Sequence, residues 1–318
     1  MGTKTGISWT GSTWNITGGC TKVSPACANC YAAELSNRFG WTTLPWTTAN
    51  EAANISLIPS RLSIPSRWSE GRSIFVDSTS DLLHRGVDDD FIVTAFAIMA
   101  RTSRHTYQVL TKRSDRLNSL FSSVAFWDKV ASVAESAPVE RGYDKPAAVA
   151  AVATTARADR LLPNVHLGVS VENSRFARRA DDLRSTPAAR RFISAEPLLG
   201  SLSALNLRWI DQIIVGGEYG RRPRLMKPEW VDEARELAAS TGAAFFFKQT
   251  GNALASELRI SGRGTDPETW PERWHTHQSP SRLSATEARE RESARISGDV
   301  ARWRSFGSVE DDLVSDAA

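Results

Sequence analysis

Three cysteines, the full complement of this 318-residue chain, lie within eleven consecutive positions as Cys20, Cys27 and Cys30. The two-residue gap between Cys27 and Cys30 is the spacing that lets neighbouring thiolates share one metal ion or one cluster. A structural zinc site takes four protein ligands, whereas a catalytic site keeps one position open. The spacing therefore predicts a metal or cluster site, completed either by a fourth side chain or by a substrate.

Two other interpretations of the cysteine cluster stay open. A zinc-binding interaction module would need a fourth protein ligand, for which His84 and Asp81 are the candidates. A redox sensor would instead cycle Cys27 and Cys30 as a dithiol, and it would be expected to have a thioredoxin-like fold. The five histidines form no H-E-x-x-H pattern, which disfavours a zinc hydrolase, and the chain has no Walker or G-x-S-x-G motif.

The composition favours a cytoplasmic protein with a mild positive charge. The net charge is +3, which falls short of the strongly basic footprint of many nucleic-acid-binding domains. No apolar run reaches the roughly 18 residues of a membrane span, and no secretory signal follows Met1. Reduced cysteines are expected in the cytoplasm. Arginines cluster at 178–179, 190–191 and 221–224, where each cluster would face either phosphate or solvent.

Short apolar runs alternate with helical patterns from residue 73 onwards, which is typical of βαβ units and a parallel sheet. The predicted strands span residues 73–77, 106–112, 165–172, 191–196, 211–218 and 243–249. A first strand before the cysteines makes seven. That number favours an α/β fold with a full or partial parallel (β/α) barrel over the alternative, a doubly wound sheet.

The domain organisation predicted from these patterns is one barrel domain and a tail. The barrel covers residues 1–275, with the cysteine loop at 19–31 and an Ala-rich helical insertion at about 125–163. Residues 276–318 are rich in Ser, Arg, Glu and Asp, and they predict a charged tail that carries a solvated helix and a disordered end.

Polar residues follow every predicted strand, at the end where parallel barrels carry their active sites. The catalytic candidates among them are Lys112, Glu172, Glu196 and Lys248. The candidates for binding a polar ligand or cofactor are Asp77, Ser78, Ser170, Asn173, Gly216, Gly217 and Glu218. The two glycines would let the backbone approach a ligand, and Glu218 would accept from an amine or a hydroxyl. A structural ion-pair network is the alternative for the charged members.

The order of a first strand, a three-cysteine loop, a helix and a parallel barrel resembles the radical S-adenosylmethionine (SAM) superfamily. The spacing here is C-x6-C-x2-C, whereas the usual loop is C-x3-C-x2-C. The resemblance implies that Cys20, Cys27 and Cys30 hold a [4Fe–4S] cluster and that SAM binds to the fourth iron. It also implies a reducing electron donor as a partner and a 5′-deoxyadenosyl radical as the reactive species.

A set of short motifs in the chain resembles those of a phage and prophage family with a three-Cys motif. That family is distantly similar to spore photoproduct lyase, a radical SAM enzyme that acts on DNA. The motifs include ISWT at 7–10, GCTKVSP at 19–25, CANCY at 27–31, LTKR at 110–113, LGVSVEN at 167–173, EPLL at 196–199, VGGE at 215–218 and FFKQ at 246–249. This resemblance implies a nucleotide or nucleic-acid substrate, a protein partner encoded nearby and a location in the host-cell cytoplasm. A non-enzymatic three-Cys zinc module of phage origin is the alternative function.

Overall fold

The computed structural model describes residues 5–260, 264–306 and 309–311, with side chains given except at 309–311. The β-strands are β1 Ser12–Trp14, β2 Thr17–Gly18, β3 Ser56–Leu57, β4 Ser73–Val76, β5 Thr106–Thr111, β6 Val165–Ser170, β7 Arg190–Ala195, β8 Gln212–Gly216, β9 Ala244–Gln249, β10 Gln278–Pro280 and β11 Val309–Asp311. The α-helices are α1 Tyr31–Arg38, α2 Glu51–Asn54, α3 Asp89–Arg101, α4 Ser114–Phe121, α5 Val124–Ser136, α6 Pro146–Asp159, α7 Arg178–Ser185, α8 Pro228–Thr241, α9 Gly251–Glu257, α10 Ala285–Ser297 and α11 Val300–Ser305.

Seven strands form one sheet in the order β1-β4-β5-β6-β7-β8-β9, and every neighbouring pair is parallel. Because each strand pairs with the next one in this series, the sheet curls in one direction into a half-barrel flanked by helices. The predicted α/β class, the seven strands and the parallel sheet are confirmed. The sheet is a partial barrel, and its strand order lacks the reversal of a doubly wound fold.

The two faces of the sheet carry separate apolar clusters, since alternate residues of a strand point to opposite sides. Phe75, Phe192, Ile214 and Phe246 pack with Trp9 in a small cluster on the inner face. Their apolar neighbours along the strands belong to the main core under the helices, among them Ile74, Ile193 and Val215. The inner face is thus apolar in the middle of the strands and becomes polar towards their carboxyl ends.

Two helices occupy the stretch predicted as a helical insertion. α5 and α6 pack against each other, and both contact α3. Phe126 and Trp127 of α5 contact Phe96 of α3, with ring centroids 5.8 and 5.9 Å apart. The Ala-rich segment is therefore packed onto the outer layer of the half-barrel.

Helix α10, in the segment predicted as a charged tail, is held by buried ion pairs, whereas a solvated helix was predicted. Glu292 accepts from Arg191 of β7 at 2.6 Å, and Arg291 lies 2.5 Å from Asp211, which also pairs with Arg190 at 2.8 Å. All of these side chains are buried. The partners of Arg291 and Glu292 lie about 80 to 100 residues earlier in the chain, so no local sequence pattern indicates that these two side chains are buried. The predicted disordered end falls partly on residues 312–318, which lie outside the described residues.

In the part of the chain that the structure describes, none of the helices is long and apolar enough to cross a membrane.

Candidate ligand and metal site at the strand ends

A cavity of about 630 Å³ lies at the carboxyl ends of the half-barrel strands. Its volume falls within the range of ordinary ligand pockets. The cavity brings together most of the residues that the sequence singled out: Cys20, Cys27, Cys30, Asp77, Ser78, Lys112, Ser170, Glu196, Gly217, Glu218 and Lys248. The cysteine loop and α1 form one wall, and the ends of β4 to β9 supply most of the rest, together with residues before β1 such as Trp9.

Side chains two residues apart on a strand share one face of the sheet, which explains why the inner face changes from apolar to charged along β7 and β9. On β7, Phe192 belongs to the inner cluster, and Ser194 and Glu196 follow on the same face. On β9, Phe246 is succeeded in the same way by Lys248. On β7 and β9, an aromatic residue of the inner cluster is thus followed on the same face by a charged residue that lines the cavity.

Cys20 lies in a network centred on Arg113. Arg113 donates to the sulfur of Cys20 at 3.5 Å, to the carboxylate of Asp81 at 2.6 Å and to the carbonyl oxygen of Thr21 at 3.2 Å. Burial raises the pKa of the Cys20 thiol to about 12, with a further contribution from Asp81, although Arg113 acts in the opposite direction. The thiol is thus protonated near neutral pH, and binding of a metal would have to release that proton.

A second network joins the cysteine loop to the loop after β8. Arg224 binds the carboxylate of Glu218 through its side chain and its backbone N–H, and it donates to the carbonyl oxygen of Pro25 at 3.0 Å. Asn29 donates to the same carboxylate at 2.9 Å. Burial opposes ionisation of Glu218, but these hydrogen bonds outweigh it and lower the pKa of the carboxyl group. Glu218 is therefore an anion that fixes the position of the loop.

Charged groups of opposite sign meet inside the cavity. Lys248 Nζ lies 2.5 Å from Glu196 Oε1, and the amide of Gln249 donates to the same oxygen at 3.3 Å. Across the cavity, Lys112 donates to the hydroxyl of Ser170 at 3.2 Å. These side chains are only partly paired by the protein, so they can exchange their contacts for those of a polar ligand.

Asp77 lines the cavity, but its carboxylate is already used. It accepts from the backbone N–H groups of Ile16 and Thr17 at 2.7 and 3.0 Å and from the hydroxyl of Thr17 at 2.9 Å. Burial raises the pKa of Asp77 to about 6, against the lowering effect of these hydrogen bonds. Asp77 therefore joins β4 to the segment that follows β1, and its neighbour Ser78 accepts the hydroxyl of Tyr31 at its carbonyl oxygen.

A protein-family model described as "Protein of unknown function (DUF5131)" matches residues 4–294. The chain belongs to the DUF5131 family. No curated protein and no solved structure matches it. The predicted relationship of this DUF5131 chain to radical SAM enzymes stays a prediction.

Three predicted site residues are not among the described residues that line the cavity of the DUF5131 chain: Glu172, Asn173 and Gly216. β6 ends at Ser170, so the regular alternation of side-chain directions stops before Glu172. The carboxylate of Glu172 is buried against Arg179, at 2.8 Å. Asn173 accepts from the backbone N–H of Arg175 and caps a turn of helix. Gly216 is the last residue of β8 and sits at an irregularity in its pairing with β9.

Other residues of the DUF5131 cavity were absent from the predicted site. They are mainly an arginine, two polar strand-end residues and two aromatic ones: Arg113, Ser194, Gln249, Trp9 and Tyr31. Ser194 could have been found from the sequence, because it precedes Glu196 by two positions and shares its face of the strand. Trp9 and Tyr31 lie outside the regular strands, and no periodic signal marks them.

The proposed fourth ligands of a zinc site have other partners in the DUF5131 chain. Asp81 binds Arg113 and the hydroxyl of Thr111, and His84 Nε2 lies 2.9 Å from the hydroxyl of Thr21. Within residues 5–260 and 264–306, no group of three or more His, Cys, Asp or Glu side chains is arranged round a common point as a metal site.

Proposed function

We propose that the chain is an iron–sulfur enzyme of the radical SAM type, acting on a nucleotide or a nucleic acid. The observation that carries this proposal is that three free thiols from one loop line the same cavity as the polar ends of the parallel strands. A cofactor held by the loop would therefore sit beside a ligand held by the strands. The second candidate, a zinc interaction module, is favoured by no comparable observation.

The chemistry of the three thiols suits a [4Fe–4S] cluster, although the described side chains do not converge into a metal-binding group. Thiolates are the ligands that such clusters take, and hydrogen bonds to the sulfurs tune them. Arg113 supplies two N–H groups near Cys20, at 3.5 and 3.6 Å from its sulfur. Cys20, Cys27 and Cys30 would hold the cluster, and its fourth iron would be left for SAM. When both are bound, and an external electron donor supplies one electron, these cofactors would supply reductive cleavage of SAM to methionine and a 5′-deoxyadenosyl radical, which would remove a hydrogen atom from a substrate.

In this proposal, the other side chains of the cavity bind SAM and the substrate and orient them. Lys112 offers a cation for a carboxylate, and Glu196 offers an anion for an ammonium group or a hydroxyl. The hydroxyls of Ser78 and Ser170 suit the ribose or the amino-acid part of SAM. Below them, Trp9 and Phe75 close the floor of the cavity with apolar rings, which excludes water from the reacting centre. Lys248 can hold the charge of Glu196 until a ligand takes its place.

The decisive experiment is anaerobic reconstitution with iron and sulfide, followed by absorption and EPR spectra with and without SAM. We expect about four iron atoms per chain, an EPR signal that changes on addition of SAM, and release of 5′-deoxyadenosine under reduction. Cys27→Ser should lose iron while its far-ultraviolet circular dichroism is retained. The matched control is Lys22→Ala, an exposed position in the same loop, which should bind iron normally.

Two results would contradict the proposal. One zinc ion per chain without iron uptake would support the interaction module. A cluster whose spectrum ignores SAM would leave only electron transfer or a structural role.

A further inference from the structure

Exposed aromatic side chains are concentrated at the mouth of the cavity. Among the described residues, the exposed aromatic side chains are four: Tyr31, Phe39, Trp41 and Tyr219. All four lie in residues 20–46 and 219–224, two segments that contribute residues such as Tyr31, Arg38 and Tyr219 to the lining of the cavity and that we call the rim. Aromatic rings bury large areas when they find a partner, so rings left in solvent beside a cavity indicate a binding surface.

Two of these rings already form a stack. Phe39 and Trp41 are each 57% exposed, and their centroids are 5.4 Å apart at an interplanar angle of 23°. The guanidinium of Arg38 lies 5.5 Å from the ring centre of Phe39. The rim thus presents two stacked, exposed rings with a cation beside them, and planar groups of a ligand can stack on such a surface.

The exposed charges of the rim are mostly positive. Lys22, Arg38, Arg221 and Arg222 are exposed, and Glu34 is the exposed acidic residue of the same segments. Four positive charges against one negative charge leave the rim at +3. Arg222 is held near the cysteine loop because its carbonyl oxygen accepts from Asn29 at 3.0 Å. A ligand that suits this surface combines planar rings with repeated negative charges.

The rim continues into the cavity without a break. Tyr31, Arg38 and Tyr219 line the cavity as well as reaching the surface. A chain that stacks on Phe39 and Trp41 would therefore run past Arg38 to the cavity entrance. A unit of that chain can enter the cavity while its neighbours stay on the rim.

We propose that the rim binds single-stranded nucleic acid, DNA or RNA, and presents one nucleotide to the cavity; this rests on the proposed function for its catalytic meaning. Unpaired bases have free faces for stacking, and the phosphates match the arginines. A duplex keeps its base faces stacked on one another, so it suits the rim less well. A protein partner would favour a surface with fewer charges at its centre, whereas the rim carries four exposed cations, one of which, Arg38, lies over the ring of Phe39.

The test is fluorescence anisotropy with the metal-free chain and labelled oligothymidylate or oligouridylate of about 12 nucleotides. Stacking contributes about 1–3 kcal/mol per base, so the double substitution Phe39→Ala with Trp41→Ala should weaken binding by about tenfold or more. The matched controls are Val139→Ala and Ile296→Ala, exposed apolar residues outside the rim, which should bind as the parent does. Comparison of the two probes distinguishes DNA from RNA.

Salt dependence provides a second readout. Each phosphate contact contributes about 0.7 to the slope of log affinity against log salt for single strands. Removing Arg221 and Arg222 together should therefore reduce that slope by about 1.4. The control is Lys129→Ala on α5, also exposed, which should leave the slope unchanged.

Three outcomes would overturn the inference: equal affinity of the parent and the aromatic double variant, a duplex of the same length bound at least as tightly as either single strand, or no binding at about 50 mM salt. The binding assay uses neither cluster nor SAM. A negative result would therefore overturn the binding inference without affecting the iron and EPR tests of the proposed function. Conversely, strand binding by a chain that takes up no iron would support the rim and reject the enzyme.

Discussion

Arg113 donates from both of its terminal nitrogens to the sulfur of Cys20, at 3.5 and 3.6 Å. The same guanidinium pairs with Asp81 at 2.6 Å, and both of these charged side chains are largely buried. One arginine thus neutralises a buried carboxylate and orients the first cysteine of the loop. The position of Cys20 thus depends on an ion pair between the segments that follow β4 and β5.

Arg113→Gln is expected to lower the free energy of unfolding by about 3–5 kcal/mol, because it leaves the carboxylate of Asp81 buried without its cation. Adding Asp81→Asn removes that charge, so the double variant should be more stable than Arg113→Gln alone. Urea unfolding of the four proteins in the cycle measures the coupling. A double variant no more stable than the single one would show that the pair does not act as described.

Glu292→Gln is expected to destabilise the chain by about 3–5 kcal/mol, since Arg191 would lose its carboxylate partner in a buried place. Glu290 offers a matched control on the same helix. It lies 3.7 Å from Arg302 at an exposed position, so Glu290→Gln should change stability by less than about 0.5 kcal/mol. Equal effects in urea unfolding would mean that α10 is not part of the cooperative fold.

Gly217→Ala is expected to destabilise the chain by about 1–3 kcal/mol, because a Cβ there would lie 2.1 Å from the carbonyl oxygen of Thr250. Gly216 is the control, since a Cβ there would meet its nearest atoms, on Gln249 and Glu196, at 3.4 Å. Gly216→Ala should therefore cost less than Gly217→Ala in thermal or urea unfolding. The reverse order would contradict the close approach of the β8 and β9 ends.

Acid should destabilise the chain through His166, which is buried beside Arg190 and Arg291. Burial, with a further contribution from Arg190, lowers its pKa from 6.5 to about 3. The folded state therefore favours the neutral ring, and this stability is present above pH 6.5 and lost as the pH falls towards 3. The loss is about 1.4 kcal/mol per pH unit below 6.5.

The substitution His166→Gln removes this titration. The difference in unfolding free energy between the parent and the variant should shrink by about 2.5–3 kcal/mol from pH 7 to pH 4.5, because the other titrating groups cancel in the comparison. A difference independent of pH would show that His166 is charged in the folded chain.

The sheet was predictable because its signal is local. Runs such as 73–76 and 244–247 are short, apolar and bounded by polar residues, and each became a parallel strand. The cavity followed from the same runs, since parallel strands bring their carboxyl ends to one side. Lys112, Glu196 and Lys248 lie in it for that reason.

The fate of individual charged residues was not predictable, because it depends on distant partners. Glu172 and Glu196 both follow inner strands, yet Glu172 binds Arg179 away from the described cavity lining while Glu196 faces Lys248 inside it. Glu172 lies two residues beyond the end of β6, whereas Glu196 directly follows the end of β7, and no local sequence pattern specifies where these strands end. The same limit applies to Arg291 and Glu292, whose burial depends on strands formed by residues 190–216.

The hydrogen bonds from Asn29 to Glu218 and from Arg224 to Pro25 span 189 and 199 residues of sequence. Contacts of such separation form late, because the loop they close is long. During translation, the cysteine segment leaves the ribosome long before residue 224 does. These two hydrogen bonds to the cysteine loop therefore form only after most of the chain has been synthesised, and until then the loop lacks its contacts with Glu218 and Arg224.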